Sequence, residues 1–159
     1  MQLDAHVTAY ISRPPPEVFD AAVACEKMPH MLRSFGPIPG VTKAELLEGK
    51  SLAPGVRRQV SMTDGSKMME EILAIQPPSS SAPGRHEYRW MHAPAPPFSL
   101  LIRSGHASWA FTPERDGTRV DWRYKFELTT LFAYPLAVPA IALFRRWMQQ
   151  GLDRLQPAA

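Results

Sequence analysis

The chain of 159 residues contains one cysteine, Cys25. No internal disulfide can form and a cysteine-rich zinc site is excluded, which suits a reducing cytoplasm as the expected location. An excess of one charge is also missing: 18 Lys and Arg stand against 15 Asp and Glu, a formal charge of +3. The basic residues come in pairs such as Arg57-Arg58 and Arg145-Arg146. Nucleic acid is therefore not an expected partner, because it calls for a continuous basic track. The stretch Met1 to His6 reaches polar residues at once and has no apolar core of an export signal. The most apolar segment, Leu131 to Phe144, is shorter than the about 20 residues that span a bilayer, and Pro135 and Pro139 break it. Stable membrane insertion is not expected.

Motifs of several chemistries are absent as well. There is no phosphate-binding glycine loop and no Gly-x-Ser-x-Gly elbow. No two of the five histidines stand at ligand spacing on one helix beside an acidic cluster. Neither a cofactor nor a metal is expected. Cys25 has no basic neighbour in sequence beyond Lys27 to activate its thiol, and is expected to be a buried helix residue.

What is present is an ordinary globular composition, 45% hydrophobic and 21% charged, in a length that suits one domain over residues 1–159. Leu3 to Ser12 alternates with the period of a half-buried strand. Pro14, Pro15 and Pro16 end it. Proline suits a first helical turn and Glu17 complements the helix dipole, so Pro15 to Cys25 is predicted helical, burying Val18, Phe19, Ala22 and Val23. A second short helix is predicted over Lys27 to Ser34, before Gly36, Pro37 and Pro39 stop it.

From Val41 onward, turn signals recur at strand spacing: Gly49, Pro54-Gly55, Asp64-Gly65, Pro77-Pro78, Pro83-Gly84, Pro94 to Pro97 and Asp116-Gly117. Six strands fit between them, at 41–48, 56–63, 66–76, 85–92, 99–112 and 118–128. Short connections make neighbours antiparallel. The period then changes, since Leu136, Ile141, Phe144, Met148, Leu152 and Leu155 recur at helical steps, and a long helix is predicted over about 136–156.

The order of strand, two short helices, six strands and long helix resembles the START-like (SRPBCC) superfamily with its helix-grip fold. That group includes the birch-pollen allergens, lipid-transfer START domains and bacterial polyketide cyclase/dehydrase-type proteins. Arg13 to Phe19 is similar to the family's strand exit and first helix. Gly55 to Asp64-Gly65, followed by Glu70 to Pro78, is similar to its middle hairpin. Trp109 to Trp122 is similar to its last hairpin, and Gly151 to Leu155 to the end of the closing helix. The resemblance implies an α+β fold, a curved seven-stranded antiparallel sheet gripping a long C-terminal helix. It further implies a hydrophobic ligand such as a lipid, sterol, hormone or aromatic polyketide. Pro135 and Pro139 depart from the pattern and are expected to interrupt the start of the closing helix.

A bent sheet and one helix cannot interdigitate everywhere, so the concave space fills with large side chains or with a ligand. By alternation one face carries Tyr88, Trp90 and His92 on the fifth strand, Trp109 and Phe111 on the sixth, and Trp122, Tyr124 and Phe126 on the seventh. That face is assigned inward, because Glu87, Arg89, Asp121, Arg123, Lys125 and Glu127 lie opposite and are costly to bury. Met62, Met68, Phe98, Phe144 and Met148 are expected to add to the wall. These rings are either plain core or the lining of a ligand site, where each stacks and offers a polar tip.

His92 is the first candidate for acid or base chemistry and Glu70 the second, with a hydrogen-bonded structural histidine and an arginine-paired Glu70 as the alternatives. By parity His6 and His106 fall on the outer or an ambiguous face, and His30 and His86 are expected to be exposed. Arg145-Arg146 fits a membrane surface, an acidic head group or a solvated helix face. Three functions stay open: a carrier of a small hydrophobic or aromatic molecule, a cyclase/dehydrase-type enzyme, and an interaction module with a closed core. A carrier calls for a continuous cavity of roughly a few hundred Å³.

Overall fold

A computed structural model describes residues 1–158. The elements run β1 (Gln2–Ile11), α1 (Pro15–Val23), a 3-10 turn (Cys25–Lys27), α2 (Met28–Met31), β2 (Val41–Leu46), β3 (Arg57–Met62), β4 (Lys67–Gln76) and β5 (Gly84–Trp90). A 3-10 turn (Phe98–Leu100), β6 (Ile102–Glu114), β7 (Gly117–Leu128), another 3-10 turn (Leu131–Ala133) and α3 (Tyr134–Asp153) complete the chain. The seven strands form one sheet in the order β1-β7-β6-β5-β4-β3-β2, antiparallel throughout. This is the α+β helix-grip architecture expected from the sequence.

Local chemistry explains the main joints. Pro15 and Pro16 occupy the first positions of α1, where a missing N–H costs nothing and a fixed φ is already helical. Asp64-Gly65 makes the β3–β4 turn, with Gly65 at φ +86°, and the Asp64 carboxylate accepts from the Ser66 N–H at 2.9 Å. Register shifts between Val41 and Lys43, Ile72 and Ala74, and Ile102 and Ser104 interrupt the ladders. Such bulges bend a sheet and sharpen its twist, which gives this one its concave face.

Helix α3 lies across that concave face. Its C-terminal half is fastened at several points. Trp147 Nε1 donates to the Arg33 carbonyl at 2.8 Å, Arg154 Nη1 to the Met31 carbonyl at 2.9 Å, and Arg13 Nη1 to the Leu155 carbonyl at 3.1 Å. Met148, Gly151, Leu152 and Leu155 are buried beneath it. The N-terminal half and the 3-10 turn before it bury Ala133, Ala137 and Ile141 but leave Leu131, Phe132, Leu136 and Val138 in solvent.

Three boundaries differ from the sequence reading. The prolines do not interrupt α3: Pro135 sits in its first turn, and Pro139 lies inside an unbroken helix. Pro139 has no N–H for the Pro135 carbonyl, but both residues are exposed and water can serve that oxygen. Strand β5 stops at Trp90, and β6 starts at Ile102 because Phe98 to Leu100 coils into a 3-10 turn. The second short helix is a 3-10 turn followed by a single turn of α-helix, ending at Met31 well before Ser34.

Candidate functional site

Between the concave sheet and the middle of α3 lies a cavity of about 130 Å³, widening toward solvent. Strand alternation aims Val60 and Met62 of β3, Met68 and Glu70 of β4, Tyr88 and Trp90 of β5, and Tyr124 and Phe126 of β7 into it. Helix α3 supplies Ala140, Ile141, Phe144 and Trp147, and the α2 region Met28, Leu32 and Ile38. The exposed members of the wall are Pro37, Asp64, Lys67, Pro96 and Pro97, so the mouth lies between the β3–β4 turn and two proline-rich loops.

Of the thirteen side chains expected at a ligand, eight line this cavity: Met62, Met68, Tyr88, Trp90, Phe98, Tyr124, Phe126 and Phe144. The aromatic members pack on one another. Phe144 stands edge-on to Tyr124 and Phe126 with ring centres 5.2 and 5.1 Å apart, and Trp90 tilts against the same two rings at 5.6 and 5.7 Å. The Trp90 indole lies flat over Gly105, where a Cβ would come within 2.8 Å of the ring. Any larger residue there would drive the indole off the sheet.

The other five fall outside the cavity. Trp109, Phe111, Trp122 and Met148 form solid core where α1 and the fastened half of α3 close on the sheet. Trp109 stacks on Trp122 at 4.2 Å, Phe19 of α1 stands edge-on to Phe111 at 5.1 Å, and Trp147 covers Trp122 at 6.0 Å. His92 is a correction of a different kind. With β5 ending at Trp90 the alternation that put His92 inward has already stopped; the ring is exposed and its Nε2 meets the Lys67 carbonyl at 3.3 Å.

Glu70 does line the cavity, and it is paired as the alternative reading required. It faces Arg58 across the β3–β4 ladder, and Arg58 Nη2 and Nε both reach Glu70 Oε1, at 2.8 and 2.9 Å. Both side chains are buried, at 2% and 6% exposure. Oε2 takes no hydrogen bond from the described residues. Burial pushes the Glu70 carboxyl above its ordinary value, and the Arg58 guanidinium pulls against that shift. Arg58 also stacks over the Tyr88 ring at 4.9 Å.

The Tyr88 and Tyr124 hydroxyls meet at 3.0 Å beside this pair. Burial, then the neighbouring Glu70, pushes the Tyr88 hydroxyl up to about 12; burial and Tyr88 hold Tyr124 well above its ordinary value. Both are therefore neutral at physiological pH. One donates to the other, which leaves one phenolic hydrogen to place. The inner wall thus offers a hydroxyl donor and a carboxylate oxygen within an otherwise apolar surround.

Two residues behave differently from expectation beside this cluster. His86 is buried, not exposed, because it shares the inward face with Tyr88. Its Nδ1 lies 3.2 Å from the Ala74 carbonyl and Nε2 has no partner among the described residues. Burial, then the Arg58 charge, lowers its pKa to about 3, so the ring is neutral. Cys25 is only partly buried, in the 3-10 turn after α1, and its basic neighbour is Arg58, whereas Lys27 binds Asp20. Burial nonetheless raises the thiol pKa.

Arg58, Trp147, Ile38 and the Pro94–Pro97 rim were not picked out from sequence. Arg58 was findable, since it has the parity of Val60 and Met62 and faces Glu70. Trp147 lies one helical step from Phe144. Ile38 and the proline rim belong to loops, where no period points.

An apolar hollow under a gripped helix, with a few polar groups at its inner wall, defines a hydrophobic-ligand-binding fold. The chain belongs to the family described as polyketide cyclase / dehydrase and lipid transport, matched over residues 2–159. Solved structures agree on the fold. Ara h 8.0201 is 14% identical, with 96% of this chain and 98% of that chain covered and a TM-score of 0.61. A protein from Thermus thermophilus is 21% identical, with 96% and 94% covered and a TM-score of 0.63. XoxI from Bacillus cereus is 17% identical, with 96% and 92% covered and a TM-score of 0.67. At these identities the likeness concerns the fold alone. No curated protein matches the chain in sequence.

Proposed function

We propose that the protein binds a small amphipathic molecule, aromatic or otherwise largely apolar, with one polar end. The observation that carries this is the pairing of an apolar, ring-lined hollow with the Glu70, Tyr88 and Tyr124 groups on its inner wall. An acceptor oxygen on the ligand takes the free phenolic hydrogen, a ligand hydroxyl or N–H meets the open oxygen of Glu70, and the rings stack on its body. At about 130 Å³ the hollow is smaller than the few hundred Å³ expected. A larger guest enters by displacing Met62 and Met68, whose unbranched thioether chains repack readily.

Native mass spectrometry of the protein purified from its own host tests the reading by looking for a co-purifying small molecule. With that molecule as probe, the double variant Tyr88→Phe with Tyr124→Phe should weaken binding by about three- to tenfold, the worth of one neutral hydrogen bond, because either hydroxyl alone still has a hydrogen to offer. Unchanged affinity in the double variant would remove the polar anchor. A chain that carries nothing and binds no hydrophobic dye competitively would remove the carrier.

A catalytic reading is favoured by one observation, the raised pKa of a cavity-lining Glu70. Its acid or base would be Glu70 and not His92, since His92 lies outside the cavity. Glu70→Gln should then abolish turnover while binding survives.

A further inference from the structure

Nine large apolar side chains are exposed among the described residues, and five of them fall between Leu131 and Val138. Phe132 is 93% exposed, Leu131 67% and Leu136 65%, with Tyr134 and Val138 beside them. Leu100, at 72%, joins the same patch, because Thr129 Oγ1 donates to its carbonyl at 2.8 Å. Ala133, Ala137 and Ile141 meanwhile face the core. The start of α3 is thus apolar on every side, a pattern that belongs to a helix with no face in water.

The sequence segments that form this patch carry few charges, and those are mostly basic. Between Glu127 and Asp153 the sequence has no acidic residue, and its only ionised side chains are Arg145 and Arg146, both exposed. Between Glu87 and Glu114 there is again no acid, and Arg103 is exposed there, while Arg89 is paired with Glu71 on β4 at 2.6 Å. Glu127, next to Leu128 at the edge of the patch, lies 3.6 Å from Arg103, whose Nη2 also donates to the Thr129 carbonyl at 3.2 Å.

We propose that this surface, the 3-10 turn Leu131–Ala133 with the first two turns of α3 and Leu100, docks peripherally on an anionic phospholipid bilayer. Leu131, Phe132 and Leu136 enter the boundary between head groups and acyl chains, Tyr134 sits at head-group level, and Arg103, Arg145 and Arg146 meet lipid phosphates. A second copy of this chain is the poorer partner. A two-fold pairing of the patch would bring the same arginines together with only Glu127, already beside Arg103, to answer them. Docking is in the plane of the surface, since no helix among the described residues is long and apolar enough to cross a membrane. The same two elements line the cavity, through Phe98 on one and Ala140, Ile141 and Phe144 on the other, so a docked protein holds its hollow next to lipid.

Co-sedimentation with two vesicle types tests this, one of phosphatidylcholine alone and one of phosphatidylcholine with an equal part of phosphatidylglycerol. The protein should bind the anionic vesicles more tightly, and added salt should weaken that preference. The double variant Phe132→Asp with Leu136→Asp should lose about tenfold or more of the binding, with its melting temperature unchanged because both side chains already stand in water. Arg145→Glu with Arg146→Glu should abolish the preference for anionic lipid. Failure of the wild type to bind either vesicle overturns the proposal, as does full binding by the aspartate variant. A solution dimer that the aspartate variant dissociates also overturns it, by assigning the patch to a second copy.

Discussion

The two ends of the concave face are built from the same alternating rings and finish differently. At one end Trp109, Phe111 and Trp122 on β6 and β7 are pressed by α1 and by the fastened half of α3 into solid core. At the other, Tyr88, Trp90, Tyr124 and Phe126 face the free half of α3 across a hollow. Ring count does not separate them. What separates them is the lid: a second helix and several hydrogen bonds draw α3 down at one end, and at the other its underside presents Ala140, which is too small to fill the gap.

Truncating one ring at each end is the strongest way to break that contrast. Trp122→Ala should cost roughly 3–5 kcal/mol, because the surrounding core cannot collapse into the space. Phe144→Ala should cost roughly half of that or less, since Phe144 is only partly buried and borders space already empty. Urea unfolding of the two variants measures both, and equal losses would mean that the open end is packed as tightly as the closed one.

A pH titration sharpens the contrast from within the closed end. His86 has its pKa lowered to about 3 in the folded protein from an ordinary 6.5, so the unfolded chain takes up a proton that the folded one refuses. The stability it contributes is complete above 6.5 and is lost as the pH falls from there toward 3. The slope approaches about 1.4 kcal/mol per pH unit at most. His86→Gln should flatten the part of this limb that lies above the carboxylate range, read as denaturation midpoints against pH. An unchanged limb would take His86 out of the core. The smallest effect is expected at the residue sequence alone favoured for chemistry: His92→Ala should shift stability by no more than about 0.5 kcal/mol and leave ligand binding alone, in the same unfolding and binding assays.

Legibility in the sequence followed the same division. Strands, turns and the closing helix repeat with a period, and their order was readable because a period survives small errors of boundary. The cavity wall was readable in the middle of strands, as at Tyr88, Tyr124 and Phe126, where alternation holds. It failed at a strand end, where two residues of turn carried His92 outside. It failed again at Trp109 and Trp122, which point inward as expected but meet α1 and the far end of α3. Whether an inward ring touches empty space depends on the distance to what lies above it, and no local pattern in one strand records that distance. The Arg58–Glu70 pair was half legible. The carboxylate stood out on an apolar face, while its partner looked like one of two ordinary surface arginines.

That pair also fixes how two strands slide past each other. Arg58 and Glu70 are direct cross-strand neighbours in β3 and β4, and an offset of one residue would turn one strand's inward set outward, either Val60 and Met62 or Met68 and Glu70. The offset would also strand a guanidinium and a carboxylate apart, each facing its own loss of hydration. A misaligned hairpin is thereby penalised twice, and the shape of the hollow rests on a single alignment of charges.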